Sequence, residues 1–257
     1  MSRTGFLTGE GVEIADGIKL RVPKIREIID DSSFATRSYI MTFKTREIFS
    51  TAENVDALEK KYPTVFEIMK DPQADLALGK YFGKETLSRA VIDAFEYWIY
   101  FDEIPEKSNE ADDGYTLLSN GKIIHGSPEW VIDKDEFYRV ANIIKEMTCH
   151  KVNDDLIAPT IKSRGQYEAW MSLYKGKLEK MKRNSLTWTD KILILSISTG
   201  AYIPIEQILD MTVFTFNKLF QGLSAKESYE KDFLTRLSPN YKVNGSLKHW
   251  QEKWKRL

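Results

Sequence analysis

The sequence predicts a mainly α-helical protein with small β-hairpins, an α+β fold with a helical bundle-like body. Three observations carry that prediction. Apolar residues recur at helical spacing through most long segments, as in "GKETLSRAVIDAFEYWIYF", where Leu87, Val91, Ile92, Phe95 and Trp98 or Ile99 share one stripe. Two Asp-Gly or Asn-Gly pairs sit between alternating apolar runs and mark short hairpins. The composition, 42% hydrophobic and 29% charged over 257 residues, is that of a globular chain with a sizeable core.

In order along the chain, "VEIADGIKLRVP" places Val12 and Ile14 before Asp16-Gly17 and Ile18, Leu20 and Val22 after it, a compact hairpin ended by Pro23. "KIREIIDDSSFATRSYIMTF" then takes helical spacing through Ile25, Ile28 and Ile29. Residues 52–100 read as helix broken at Pro63, and the run Tyr97–Phe101 suits helix to about residue 99 in preference to a switch to strand. The acidic stretch around residues 102–113 reads as a solvated loop. Asn120-Gly121 behind it suits a type I′ turn, since both residues tolerate positive φ. "IDKDEFYRVANIIKEMT" opens a helix with an acidic first turn, and "RGQYEAWMSLYKGKLEKMKRN" is amphipathic with a basic end. "TWTDKILILSIST" reads as a buried helix capped by Thr187 or Thr189. These elements divide into a hairpin-plus-helix region (1–105), an acidic loop and hairpin insertion (106–135) and a C-terminal helical region (136–257), an order equally compatible with one continuous domain.

Charge and composition then bound the function. The formal net charge is −1, so no global basic excess points to nucleic acid. The single cysteine, Cys149, forbids an intramolecular disulfide and fits a reducing compartment. The N-terminus lacks a secretory pattern, and the longest apolar run, "ILILSI", is too short to span a bilayer. The expected setting is the cytoplasm of the cell that makes the protein, without a membrane partner.

No catalytic residue, metal ligand or cofactor stands out. The carboxylates Asp102, Glu103, Glu106, Glu110, Asp112 and Asp113 lack calcium-loop spacing. Cys149 and His150 are adjacent, a spacing that metal clips do not use. "GKYFGKET" echoes a phosphate loop but lacks its spacing and its preceding strand. We therefore expect a non-enzyme with no cofactor.

"EQILDMTVFTFNKLFQGL", residues 206–223, reads as two helices meeting at Met211-Thr212. A base-reading helix needs cations beside phosphate, yet this stretch offers Lys218 against Glu206 and Asp210. Phe214, Phe216, Leu219 and Phe220 cover more than one face, which favours internal packing first, partner docking second and DNA last. The tail "LKHWQEKWKRL" sets Leu247, Trp250 and Trp254 at helical spacing among cations, so its tryptophans either pack on the body or anchor a partner. The expected contact residues are Phe214, Phe216, Phe220, Trp250 and Trp254. The competing reading is a nucleic-acid-binding regulator that uses residues 203–223 and the basic tail.

Two stretches carry a resemblance. "GVEIADGIKLRVPKIREIID" resembles the opening of tail-morphogenesis proteins, tail assembly chaperones among them, of phages that infect Gram-positive bacteria. That opening is a short hairpin, an "I-x-V-P-T-I-x-E-I" segment and a helix. "QILDMTVFTFNKLFQGLSAKESYE" is similar to their near-C-terminal "I-x-D-x-T-x-x-Q-x-x-x-x-F" segment, which precedes a Trp-containing end. The chain departs from these patterns at Lys24 and at Phe216 or Asn217. The resemblance implies a bacteriophage assembly factor or virion structural protein, acting in the host cytoplasm or the virion. It would hold tape-measure or tail-tube protein through apolar surface until the tail polymerises.

Overall fold

The computed structural model describes residues 4–102, 114–118, 121–126, 129–198, 202–238, 245 and 247–255, with backbone alone for 253–255. Among the described residues it is 61% helical with two three-stranded antiparallel sheets, the mainly helical α+β class expected. In chain order the elements begin with α1 (Thr4–Thr8), β1 (Val12–Ala15), β2 (Ile18–Leu20), α2 (Ile25–Ile28), α3 (Phe34–Thr42) and α4 (Thr45–Ile48). Next come α5 (Val55–Lys61), α6 (Val65–Met69), α7 (Pro72–Tyr81), α8 (Leu87–Trp98) and β3 (Ile99–Phe101). Strands β4 (Tyr115–Leu117), β5 (Ile123–His125) and β6 (Trp130–Ile132) precede α9 (Lys134–Met147) and α10 (Arg164–Arg183). The chain ends with α11 (Trp188–Ser198), α12 (Ile205–Leu209), α13 (Val213–Leu237) and α14 (Trp250–Lys255).

Two compact units emerge. One comprises Glu10–Arg21 and Asp31–Ser185; the other comprises Met1–Gly9, Val22–Asp30 and Leu186–Leu257. These units do not follow linear cuts at 105 and 135, because two short N-terminal segments group with the C-terminal helices.

In the larger unit, β1 and β2 pair as Val12↔Leu20 and Ala15↔Ile18 around a two-residue Asp16-Gly17 loop, with Gly17 at φ +68° and an irregularity between Glu13 and Ala15. Val12, Ile14, Ile18 and Leu20 are all buried, as the alternation requires. The aromatic run after α8 resolves as strand from Ile99. β3 pairs with β2 (Leu20↔Ile99), and Arg21 N–H extends the ladder by donating to the Trp98 carbonyl at 2.7 Å. A hairpin edge with unpaired donors, met by β-prone Ile-Tyr-Phe, favours the strand over a further helical turn. Leu87, Ala90, Val91, Ala94, Phe95 and Trp98 of α8 are buried on one stripe.

The second sheet runs β4-β5-β6, its third strand Trp130–Ile132 unannounced by the hairpin signal. Its first turn also differs from a type I′ loop centred on Asn120-Gly121. Gly121 N–H donates to the Leu118 carbonyl (2.9 Å), so Gly121 is the fourth residue of the turn, at φ +82°. Residue Asn120 lies outside the described residues.

In the smaller unit, α11 is capped reciprocally: Asp190 N–H donates to Thr187 Oγ1 (3.1 Å), and Thr187 N–H donates to the Asp190 carboxylate (2.9 Å). The helix is not buried all round, as its sequence suggested. Ile192 and Leu195 are interior, but Leu193 is 49% and Ile197 74% exposed. The helix is apolar on every side, and only one face meets α12 and α13.

Candidate partner-binding surface

The two stretches that carry the resemblance form one structural junction. Lys24 and Thr212 make an antiparallel bridge. Ile25 N–H donates to the Met211 carbonyl (2.9 Å), and Val213 N–H donates to the Pro23 carbonyl (2.9 Å). Thr212 is 2% exposed; its hydroxyl donates to the Phe6 carbonyl (2.6 Å) and accepts from Thr215 N–H (3.1 Å), capping α13. Arg26 reaches both acidic residues of the preceding helical turn, Asp210 at 2.9 Å and Glu206 at 3.3 Å. The α12–α13 turn is thus occupied by the chain's own backbone. The first turn of α13 points Val213, Phe214 and Phe216 inward. A DNA-reading helix would need that first turn free for base edges.

The five expected contact residues fall in three environments. Phe216 is fully buried, its ring 5.5 Å from Trp188 and 6.3 Å from Phe220. Phe214 is buried against Phe6, ring centroids 5.2 Å apart, and these two phenylalanines are interior groups of the smaller unit. Phe220 and Trp250 are half-buried. The side chain of Trp254 lies outside the described residues.

Trp250 lines an apolar groove of about 320 Å³ together with Ser198, Lys218, Leu219, Gly222, Leu223 and Lys226. Its shape follows from the sequence of α13. Lys218, Gly222 and Lys226 succeed one another in steps of four, along one side of the helix. Gly222 lies between the two lysines in the lining, and Leu219 and Leu223 contribute its apolar part. Trp250 is held on the other side by a ring series: Tyr229 to His249 at 5.2 Å, and His249 to Trp250 at 5.8 Å. On α11, Ile197 next to Ser198 and Leu193 one turn before Ile197 are exposed apolar residues. Neither exposed residue was singled out in the sequence, because a run of apolar residues does not say which face is left without neighbours.

Comparison with known proteins adds no family: no family model matches the chain, and neither the curated proteins nor the solved structures yield a match.

A second cavity, about 350 Å³, lies in the larger unit between Ala35, Thr36, Tyr39, Tyr81 and Phe82. Glu47 hydrogen-bonds the Tyr39 phenol, and burial raises the Glu47 carboxyl above its usual range and pushes Tyr39 up likewise. The His150 ring stands edge-on to Tyr39 at 6.4 Å, and burial lowers its pKa. These ionisable groups sit behind Tyr39 rather than on the described lining, and Glu47 also caps α4 through Lys44 N–H (3.5 Å). The cavity therefore presents phenol and phenyl rings, with no described carboxylate or imidazole on its wall to act as a base. Among the described residues no cluster of His, Cys, Asp or Glu is placed to hold a metal ion, and no helix is long and apolar enough to cross a membrane. Of the acidic stretch, residues 103–113 lie outside the described residues, while Asp102 pairs with Lys19 at 2.5 Å.

Proposed function

We propose that the chain is a non-enzymatic tail assembly or virion structural protein of a phage infecting Gram-positive bacteria, working by protein–protein binding. Its partner in this reading is the tape-measure or tail-tube protein. One observation carries the reading. The two stretches that resemble phage tail-morphogenesis proteins lie far apart in sequence, yet they meet as a single backbone junction at Lys24 and Thr212. That junction supports the end of α13 whose next turns open the groove. A binding role for the smaller unit is supported by exposed Leu193, Ile197 and Leu219, together with the apolar groove beside Trp250. Phe220 and Trp250 serve as anchors at its edge, while Phe214 and Phe216 hold the helix that presents it.

Co-expression with the tape-measure and tail-tube proteins, followed by purification through a tag on this chain, tests the proposal. The expected result is recovery of one of those proteins by the wild type and its loss from the Leu193→Asp/Ile197→Asp variant. Both substitutions are at exposed positions, so the variant should keep its helical circular dichroism and thermal midpoint. Recovery of nucleic acid alone, with a steep salt dependence, would favour the regulator reading.

A further inference from the structure

The groove on α13 also says something about the chemistry of its occupant. We infer that it receives an acidic amphipathic helix, whose apolar side chains enter between Leu219, Leu223 and Trp250 and whose carboxylates meet Lys218 and Lys226. This rests on the protein-binding reading above and specifies the partner within it.

Three features of the site select that ligand. Its wall is apolar and its volume, about 320 Å³, suits a few side chains rather than a whole domain. Both ionisable residues on its described lining are lysines, so the rim is cationic and a basic segment would be repelled. The lysines flank Gly222 along about 12 Å of helix, from the rise of about 1.5 Å per residue. Two successive turns of a bound helix cover that length, so carboxylates spaced one or two turns apart can reach both cations while i and i+4 apolar groups fill the groove. The Lys226 ammonium is exposed and 3.9 Å from Glu230, and the Lys218 ammonium lies 5.9 Å from the Phe214 ring centre, so an incoming carboxylate competes with these weak contacts.

The test uses designed peptides of about 20 residues, long enough to span the groove as helix. One is a leucine–glutamate amphipathic peptide; the others are its leucine–lysine counterpart and a scrambled leucine–glutamate control. Binding to the full chain is measured by calorimetry and by amide chemical shifts, with wild type beside Lys218→Glu/Lys226→Glu. The glutamate peptide should bind the wild type, shift residues 218–226 and 250, and weaken about tenfold or more in the charge-reversed variant. That variant should gain the lysine peptide. Equal binding of both peptides, binding of neither, or an unchanged glutamate-peptide affinity in the variant overturns the inference. So does competition at residues 218–226 by a single-stranded oligonucleotide or by a second copy of the chain. If Lys218→Glu/Lys226→Glu still co-purifies the tail protein that Leu193→Asp/Ile197→Asp loses, the acidic-helix inference fails while the assembly reading stands.

Discussion

Gly79 shows how closely two helices can be joined when one residue has no side chain. A Cβ there would overlap the backbone N, Cα and C of Thr86, the residue that caps α8. The same turn ends with Gly83 at φ +71°, its N–H donating to the Lys80 carbonyl while Lys84 N–H returns to Gly79 (2.8 Å). Gly79→Ala should destabilise the protein by about 2–3 kcal/mol in urea denaturation, the range for forced overpacking against backbone. An equivalent left-handed cap closes α9 with a non-glycine residue: Cys149 sits at φ +53°, and His150 N–H donates to Lys145 (3.0 Å). Cys149→Gly should therefore be more stable than Cys149→Ala by about 1 kcal/mol, since only glycine relieves the strained φ. Cys149 and His150, adjacent in the sequence, together close this cap.

Charge at single residues fixes the acid side of stability. The Lys61 ammonium beside Asp71, helped by the Tyr62 hydroxyl, holds that carboxyl below its ordinary 3.8. Arg46 does the same for Asp56, and the Thr187 hydroxyl and N–H for Asp190. Each folded-state pKa is depressed, so the folded chain binds fewer protons than the unfolded one. Their contribution is present above the unfolded value near pH 4 and is lost as pH falls through it toward the folded values. Thermal midpoints should fall from pH 5 to pH 3, and Asp71→Asn should flatten that fall. An unchanged slope in Asp71→Asn would contradict the assignment.

At the scale of elements, the α12–α13 turn is the joint on which the smaller unit depends. Thr212 supplies the cap of α13, a buried bond to Phe6 and the bridge to Lys24. Thr212→Val keeps the shape and removes both hydroxyl bonds, which should cost about 2 kcal/mol by denaturant titration. Arg26→Ala, which removes only exposed ion pairs, should cost under about 1 kcal/mol. Legibility was uneven at this level, for definite reasons. The Asp16-Gly17 hairpin, the α8 stripe and a threonine cap at Thr187 or Thr189, found at Thr187, were readable because turn chemistry and periodicity are local. The third strands β3 and β6 were not fixed by the sequence pattern, because each is a three-residue run whose pairing partner comes from elsewhere. The exposure of Leu193 and Ile197 was misread for a related reason: composition sets the hydrophobicity of α11, but neighbours set which face is covered. The aromatic stretch of α13 was correctly expected to bury part of its surface, yet its groove is lined by Lys218, Gly222 and Lys226, which drew no notice as a site among the phenylalanines.

Across the whole molecule, each unit has a buried apolar interior and some apolar residues at its surface. The larger unit buries Phe95, Trp98 and Phe137, which are 1% exposed or less, but it leaves Tyr81 and Leu173 at the surface. The smaller unit leaves Leu193, Ile197, Leu219, Phe233, Leu234 and Leu237 exposed. The binding role proposed above is assigned to the smaller unit, whose residues line the groove beside Trp250. The most direct test is hydrogen–deuterium exchange of the chain, alone and co-purified with the tape-measure or tail-tube protein. The predicted result is slowed exchange at 193–198, 218–226 and 250, with the larger unit unchanged. Protection confined to the Tyr39 cavity or to the basic end of α10, or no complex with either protein, would contradict it.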